Sequence, residues 1–349
     1  MDLFRDLHQP TGRIIHQSEK DYLFFGGTSY LGLPTNQDYI ALFKEGIDKY
    51  GLNNGTSRSN NVQQGIYDLA ERNMALRFGF EEALLVSSGY LAAQLAVRQL
   101  QALGEMLYAP GTHPALWLEN EVPYSVESFE DWATRTVNYI NHSDRDDFIV
   151  VSNTLDNLTP QRFDFSPFKQ LAPYKKVYLL LDDSHGIGIA VPNRCYVDRE
   201  ALNIPQVELL VVASLAKGMA TDAGVILCSA SMAALLKPSP FFRGASPPAP
   251  TALHALVAGE RIYQDAVAML HNNIDYLRAR VSDTVNYLSD FAVFTIAKET
   301  AFADFLKRGI LISSFSYPLP NDPPINRIVL SAHHRQEDLD RLLEVVNSL

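Results

Sequence analysis

The chain has 349 residues, of which 47% are apolar and 20% are charged, a composition typical of a globular protein. Its 29 basic and 40 acidic residues give a net charge of −11, which argues against nucleic acid and anionic membranes as partners. No apolar run approaches the roughly 18 residues that a membrane-spanning helix needs. The N-terminus lacks the apolar segment of a signal peptide. With only two cysteines, Cys195 and Cys228, the sequence predicts a soluble, cytoplasmic protein.

The first hundred residues alternate helical and loop patterns. Apolar residues at helical spacing predict helices over 38–50 and 64–78, and the segment between them, GLNNGTSRSNN (51–61), has the composition of a loop. Residues 83–103 predict a strand, a turn of small residues and a helix that opens at Ser88. The free backbone N–H groups where this helix begins form an anion site if they face a ligand.

The middle of the chain contains a series of short apolar strands. They are predicted at residues 106–109, 147–152, 176–182, 208–214 and 224–229. Several of them lack polar alternation, as strands buried on both faces do. Helical or loop segments separate most of these strands, which predicts an α/β domain with a mostly parallel sheet. Only residues 215–223 separate the last two strands, so an antiparallel pair is expected there.

A Pro- and Gly-rich segment, KPSPFFRGASPPAP (237–250), predicts a break in the chain. After it, residues 251–288 predict one or two long helices, and the remainder predicts weak strands and a closing helix. We therefore expect an N-terminal arm (1–44), a large domain (45–250) and a small α+β domain (251–349).

Two segments carry side chains suited to chemistry. Asp182, Asp183 and His185 follow the strand 176–182, and ligands of parallel sheets bind beyond the carboxyl ends of the strands. Lys217 lies between two apolar strands, in SLAKGMATDAG. A strand-end carboxylate and a strand-end lysine suggest a pyridoxal-phosphate site, in which the lysine forms a Schiff base and the carboxylate keeps the pyridine nitrogen protonated. Taken alone, the Asp pair also fits a helix N-cap, His185 also fits a hydrogen-bonded loop histidine, and Lys217 also fits an exposed loop lysine. Ser214 and the turn Ser88–Tyr90 are candidates to hold the phosphate.

Residues 21–345 resemble the α-oxoamine synthase family of fold-type I pyridoxal-phosphate enzymes, which includes 8-amino-7-oxononanoate synthase and 2-amino-3-ketobutyrate CoA ligase. The matching segments, in chain order, are TSYLGLP (28–34), LNNGTSRSNN (52–61), RFGFEEALLVSSGYLAAQ (77–94), GTHPALW (111–117), LLLDDSHGIGI (179–189), VVASLAKGMATDAGVILCS (211–229), PPA (247–249) and NRIVLSAHHRQEDLDRLLEVV (326–346). Each segment alone is a weak signal, but together they indicate a fold-type I transferase with a large and a small domain.

The resemblance implies a role for each matching residue. Lys217 matches the Schiff-base lysine, Asp182 the partner of the pyridine nitrogen, His185 the histidine near the ring oxygen, and His113 the histidine that stacks on the ring. The phosphate contacts match Ser88, Gly89, Tyr90 and Ser214, and Asn157 is placed to donate a hydrogen bond to the ring oxygen. Arg327 matches the arginine that binds the amino-acid carboxylate, and Thr56, in the glycine loop, is a further substrate-binding candidate.

The sequence departs from the family where the family's hydroxyl residues reach the partner subunit's phosphate. Gly244 and Ala245 stand at those positions, with Arg243 and Ser246 nearby. The resemblance implies a homodimeric acyltransferase that condenses an amino acid with an acyl thioester, expected to be an acyl-CoA.

Two other functions stay open from the sequence. One is a different pyridoxal-phosphate reaction, such as transamination or C–C lysis, and the other is cofactor binding without turnover. No Cys/His spacing predicts a metal site. The histidines outside the matched site, His271, His333 and His334, are expected to be solvated.

Overall fold

A computed structural model describes residues 4–118, 127–317 and 321–349 of the chain. The strands are β1 (Ile14–Gln17), β2 (Lys20–Phe25), β3 (Glu82–Val86), β4 (Glu105–Tyr108), β5 (Asp147–Asn153), β6 (Leu155–Asp156), β7 (Gln161–Arg162), β8 (Lys176–Asp182), β9 (Val207–Ser214), β10 (Gly224–Cys228), β11 (Val285–Tyr287), β12 (Val293–Ile296), β13 (Ile310–Ser316) and β14 (Pro324–Val329). The helices are α1 (Gln37–Tyr50), α2 (Ile66–Phe78), α3 (Gly89–Leu100), α4 (Phe129–His142), α5 (Ala230–Leu236), α6 (Pro240–Gly244), α7 (Pro250–Ala258), α8 (Glu260–Arg278), α9 (Ala301–Lys307) and α10 (Gln336–Val346).

The large sheet has the strand order β3-β10-β9-β8-β5-β4. Strands β4, β5, β8 and β9 pair in parallel, and β10 runs antiparallel to both of its neighbours. This arrangement confirms the predicted mostly parallel sheet and the antiparallel pairing of its last two strands along the chain, β9 and β10. The short connection between β9 and β10 leaves no room for a crossover helix, so the chain must reverse direction there.

Helices cover both faces of this sheet, because the apolar strands present side chains alternately to each side. Ile149 and Val151 of β5 pack in one cluster with α3 and α5, whereas Phe148 and Val150 pack in another with α4. The continuous apolar runs that predicted the strands are therefore a consequence of burial on two faces.

A second sheet has the order β1-β2-β13-β14-β12-β11. Its C-terminal strands β12, β13 and β14 match the weak strands expected from the sequence, while β11 lies at the end of the segment predicted as helix (251–288), which was wrong for residues 285–287. Strands β1 and β2 come from the region expected as an N-terminal arm, and β2 pairs in parallel with β13.

These pairings bear on the division of the chain into domains. The expected boundary after residue 44 falls inside α1, and the one after residue 250 falls at the first residue of α7. We propose that residues 14–25 be counted with the small C-terminal domain, because β1 and β2 complete its sheet. Within the described residues, the helices are all too short or too polar to cross a bilayer.

Candidate active site

A cleft lies beyond the carboxyl ends of the parallel strands, where ligands of α/β sheets bind. Its lining residues are His113, Asn153, Thr154, Leu155, Asn157, Asp182, His185 and Lys217. Five of them, His113, Asn157, Asp182, His185 and Lys217, are predicted site residues. The fold thus brings together side chains that lie more than a hundred positions apart in the chain.

Lys217 is carried by the tight loop between β9 and β10. The loop is closed by backbone hydrogen bonds from Leu215 to Ala223 (2.9 Å) and from Thr221 to Leu215 (3.1 Å). Lys217 Nζ lies 3.0 Å from Nε2 of His185. Burial lowers the pKa of the Lys217 ammonium, and the Asp182 carboxylate offsets part of this effect. A lysine with a lowered pKa is more often neutral, as a nucleophile or base must be.

Two buried tyrosines hold this lysine loop from behind. The hydroxyls of Tyr39 and Tyr263 are 2.6 Å apart, and their oxygens lie 3.2 and 2.9 Å from the carbonyl oxygen of Met219. Tyr39 also contacts the hydroxyl of Thr221 at 3.0 Å. Hydrogen bonds of this kind restrict the loop and therefore the position from which Lys217 extends into the cleft.

The two adjacent carboxylates face different surroundings. Asp182 lines the cleft, and its Oδ1 accepts a hydrogen bond from the backbone N–H of Ser184 at 2.8 Å. Asp183 is fully buried behind the cleft, where it accepts hydrogen bonds from Thr154 Oγ1 (2.6 Å) and from the backbone of Tyr196 (2.9 Å). Burial raises the pKa of Asp183 to about 7. Only Asp182 is therefore placed to meet a ligand in the cleft.

His185 is contacted through both ring nitrogens. Nε2 faces Asn157 Nδ2 at 2.5 Å and the Lys217 ammonium, while Nδ1 lies 2.8 Å from the hydroxyl of Tyr30. Burial and the nearby Lys217 cation lower the pKa of His185 well below its usual value, so the ring is neutral at physiological pH. Tyr30 belongs to the segment TSYLGLP but was not predicted as a site residue.

His113 lies at the mouth of the cleft. Its Nδ1 accepts a hydrogen bond from the backbone of Ala115 at 3.1 Å, and its own backbone N–H donates to Asn153 Oδ1 at 3.1 Å. The ring is exposed in the single chain, which leaves its face available for contact with a planar ligand.

The predicted phosphate contacts gather at the N-terminus of α3. Ser88 caps the helix, its Oγ accepting from Leu91 N at 3.1 Å. Gly89 packs so closely on Ser214 that a Cβ at this position would lie 2.4 Å from the Ser214 Cβ. Only glycine fits here, and the contact brings Ser214 to the free N–H groups of the helix. Tyr90, in the first turn of α3, is exposed.

Arg327 lies on β14 and is 5% exposed. Its Nε and Nη2 are buried and have no hydrogen-bond partner within the described residues, although the guanidinium contacts Tyr30. Buried guanidinium nitrogens without partners are costly unless a ligand satisfies them. A carboxylate is the ligand that fits, since it accepts two parallel hydrogen bonds from one guanidinium.

Thr56 does not line the cleft. It lies in the loop 51–65, where its carbonyl accepts a hydrogen bond from Asn54 Nδ2 at 2.9 Å. This loop is fastened to α6 by a hydrogen bond from Ser59 Oγ to the carbonyl of Arg243 at 3.1 Å. The loop 51–65, expected to contact substrate, and the segment 237–250, expected to contact the partner subunit, are therefore joined on one surface outside the cleft.

Three histidines expected to be solvated are not. His334 is buried, with its ring stacked on Phe25 and its nitrogens bonded to Ser331 N and Phe24 O at 3.0 and 2.9 Å. His333 is partly buried beside it, and His271 Nε2 contacts the carbonyl of Ile189 at 2.9 Å. For His334 the expectation was wrong because β2, which supplies the ring of Phe25 and the carbonyl of Phe24, was not predicted.

Within the residues that the structure describes, no group of His, Cys, Asp and Glu is suited to a metal ion.

A model of the family "Aminotransferase class I and II" matches residues 29–346. The chain is 26% identical to the 8-amino-7-oxononanoate synthase of Yersinia pestis (strain Pestoides F) over 97% of this chain and 92% of the relative.

Solved structures share the fold. The serine palmitoyltransferase of Sphingomonas wittichii superposes with a TM-score of 0.84 at 18% identity, covering 100% of this chain and 92% of that chain. A structure of SPT with PLP superposes with a TM-score of 0.82 at 17% identity, covering 98% and 91%. The fold-type I prediction and the resemblance to α-oxoamine synthases are thereby confirmed.

The cofactor that these matches indicate is pyridoxal phosphate, as the sequence predicted. The donors in the cleft fit it: an amine with a lowered pKa, a carboxylate at a strand end, and a helix N-terminus beside Ser214. The chain belongs to the aminotransferase class I and II family of enzymes.

Proposed function

We propose that this protein is a pyridoxal-phosphate-dependent acyltransferase that condenses an amino acid with an acyl thioester, expected to be an acyl-CoA. The observation that carries the proposal is the Lys217–His185 contact of 3.0 Å inside a cleft that Asp182 and His113 also line. The match to an 8-amino-7-oxononanoate synthase over nearly the full chain favours this reaction over others of the family.

Pyridoxal phosphate, when bound, supplies an aldehyde that forms an imine with an amine and a pyridinium ring that accepts an electron pair. Lys217 is the amine of this chain that lies in the cleft, and its lowered pKa lets it accept a proton from a substrate carbon. Asp182 is the carboxylate placed to hold a proton on a ring nitrogen, and Asn157 and His185 are placed to bind a ring oxygen. Ser88, Gly89, Tyr90 and Ser214 would hold the phosphate.

Arg327 orients the amino acid. Its two unpaired nitrogens, Nε and Nη2, can bind both oxygens of a substrate carboxylate. A carboxylate fixed in this plane sets the direction of the neighbouring Cα–H bond relative to Lys217, and such orientation contributes much of the rate in proton abstraction.

The active enzyme is proposed to be a homodimer. Thr56 and Arg243 lie outside the cleft of their own chain, on the surface formed by the loop 51–65 and the segment 237–250. Leu52 and Val62 on this surface are 72% and 71% exposed, as expected for apolar residues that a partner covers. In a dimer, Thr56 and Arg243 would reach the partner's cleft. The free, buried thiols of Cys195 and Cys228 support a reducing compartment, and we propose the cytoplasm.

The experiment is a screen of the purified, cofactor-loaded protein with each proteinogenic amino acid and a series of acyl-CoA and acyl-carrier-protein thioesters. The expected result is release of free thiol that requires both substrates. Release of a 2-oxo acid from an amino acid alone would indicate an aminotransferase, and a cleaved amino-acid side chain would indicate a C–C lyase. Cofactor binding with no turnover of any pair would contradict the proposal and favour a binding protein.

A further inference from the structure

Asn153, the last residue of β5, is hydrogen-bonded to the loop that carries His113. Its Nδ2 donates to the carbonyl of Gly111 at 2.8 Å, and its Oδ1 accepts from the backbone N–H of His113 at 3.1 Å. One side-chain amide thus bonds a carbonyl and an N–H that lie two residues apart, as a neighbouring strand would. Because both bonds come from one planar group, they fix the orientation of the loop as well as its distance from β5.

The same residue has a fixed position relative to Asp182. Asn153 is paired with Asp182 in the parallel register of β5 and β8, and the next residue, Thr154, donates its backbone N–H to the carbonyl of Asp182 at 2.9 Å. The side chains of Asn153 and Asp182 both line the cleft. Asn153 therefore connects His113 to the strand end that carries the carboxylate.

The ring of His113 follows its backbone. Its Nδ1 accepts a hydrogen bond from the backbone N–H of Ala115, so the ring is tied to its own short helical turn. Other side chains hold the residues around it: Thr112 Oγ1 donates to the carbonyl of Ala109 at 2.6 Å, and Gln94 Nε2 donates to the carbonyl of Ala115 at 2.8 Å. Among the described contacts, the bond to the N–H of His113 itself comes from Asn153.

We propose that Asn153 is a positioning residue that holds His113 against the face of the pyridoxal-phosphate ring, while Asp182 meets the ring nitrogen. The inference concerns cofactor binding, so it holds whichever reaction the enzyme catalyses. Contact between two planar rings depends on their separation, because dispersion attraction is lost when a gap opens between them. Without the two bonds of Asn153, residues 111–113 can move away from the cofactor ring and the contact weakens.

Equilibrium dialysis of pyridoxal phosphate against the full-length protein is the first test. Asn153→Ala should weaken cofactor affinity by about 5-fold, the loss expected for one aromatic stacking contact. Asn141→Ala is the matched control. Asn141 bonds a loop outside the cleft in the same way, with Nδ2 donating to the carbonyl of Gln170 at 2.9 Å and Oδ1 accepting from the N–H of Ala172 at 2.8 Å. This control should keep the wild-type affinity.

A double-mutant cycle separates positioning from direct contact with the cofactor. His113→Ala should also weaken the affinity, and the double variant Asn153→Ala, His113→Ala should bind the cofactor as His113→Ala does, because Asn153 is proposed to act through His113. Losses that add in the double variant would overturn the proposal, since Asn153 would then act without His113. An unchanged affinity in His113→Ala would overturn it too.

Hydrogen exchange of the peptide 109–117, followed by mass spectrometry without cofactor, gives a second readout. Exchange should be faster in Asn153→Ala than in the wild type and in Asn141→Ala, and an unchanged rate would contradict the proposal. If Asn153→Ala does not fold, Asn153→Asp serves instead, because it keeps the size of the side chain but loses the donor to Gly111. If the cycle and the exchange agree with the proposal but no substrate pair condenses, the acyltransferase function fails and the role of Asn153 stands.

Discussion

Two regions of the molecule differ in how complete they are in one chain. One is the cleft at the ends of the parallel strands, and the other is the surface formed by the loop 51–65 and the segment 237–250. In the cleft, Lys217 and His185 are hydrogen-bonded to each other, and Asp183 is fully buried behind them. On the surface, Leu52 and Val62 are exposed, and Thr56 bonds only within its own loop as far as the described contacts show.

The difference indicates which contacts a single chain satisfies. Burying a polar group without a hydrogen-bond partner is costly, and Lys217, His185 and Asp183 find their partners within one chain. An exposed apolar residue does not require a partner in the same chain, because its exposure to water costs only a modest free energy. A second subunit can therefore cover it later. The sequence departures at Gly244 and Ala245 fall on the second region, so we expect substitutions there to have the smaller effects.

The largest effect is expected from Lys217→Ala. Removing the only lysine that lines the described cleft should abolish the yellow imine absorbance and lower turnover by about 10³-fold or more. The measurements are the visible spectrum before and after borohydride and the steady-state rate. Lys176→Ala is the control, because it removes an amine near Glu208 at the N-terminal end of β8. It should keep both the imine absorbance and the rate. A yellow, active Lys217→Ala protein would show that the cleft is not the active site.

The second prediction concerns the buried wall behind the cleft. Burial raises the pKa of Asp183 from 3.8 in the unfolded chain to about 7 in the folded protein. Its contribution to the free energy of unfolding is therefore complete below pH 3.8 and is lost as pH rises through about 7. The free energy of unfolding of the wild type, relative to Asp183→Asn, should fall by up to about 4 kcal/mol between pH 4 and pH 8. Urea titrations of the cofactor-free protein at each pH measure it.

Asp222→Asn removes an exposed carboxylate of the lysine loop and is the matched control. A pH-dependent difference that also appears in this control would not arise from the burial of Asp183. If the Asp183→Asn difference does not change with pH, Asp183 is ionised in the folded protein and water reaches it behind the cleft.

Arg327→Lys tests the proposed carboxylate position. Lysine keeps the charge but loses the planar pair of donors, so the substitution should cost about 2–4 kcal/mol in kcat/KM. α-Proton exchange of the best amino acid, followed by NMR, should slow, while the imine absorbance of Lys217 stays. Arg280→Lys, which alters a guanidinium packed on Tyr276, is the control. Exchange at the wild-type rate with unchanged affinity would make Arg327 a structural residue.

The double variant Leu52→Glu, Val62→Glu tests the second region directly. Placing two carboxylates where a partner is proposed to pack should weaken the dimer by at least about 10²-fold, since burial of such side chains contributes about 1.5–3 kcal/mol each. Sedimentation velocity over a range of concentrations gives the dissociation constant. Leu76→Glu changes a residue of α2 that is 82% exposed and serves as control. A wild type that is monomeric at micromolar concentration with full cofactor affinity would contradict the dimer.

The smallest effect is expected from Arg243→Ala. If the partner's Arg243 compensates for the missing hydroxyls at Gly244 and Ala245, cofactor affinity should fall by about 10-fold, as for one charge-assisted hydrogen bond. Equilibrium dialysis of pyridoxal phosphate measures the affinity. Arg261→Ala, at an exposed position of α8, should have none of this effect. Equal affinity in both variants would leave Ser246 or water as the compensating group.

The sequence was informative wherever a pattern repeats locally. The apolar runs at 147–152, 176–182 and 208–214 predicted strands that the structure has within one residue, because burial on two faces requires an uninterrupted apolar segment. Strands β1 and β2 carry mixed polar residues and were missed, since partly exposed strands have a weaker apolar pattern.

By itself, the sequence determined the α/β fold class, because its apolar runs predict buried strands. Its resemblance to a known family then named the lysine, the carboxylate and the histidines of the cleft, which strand-end position alone left open to ordinary structural roles. Only the tertiary structure decided that Asp182 faces the cleft while Asp183 is buried, and that Tyr30 meets His185, 155 positions away in the chain. Adjacent residues differ in this way because successive side chains at a strand end point to opposite sides. Distant ones meet because the fold packs the segment that carries Tyr30 against the loop that follows β8, and no local pattern records such a contact.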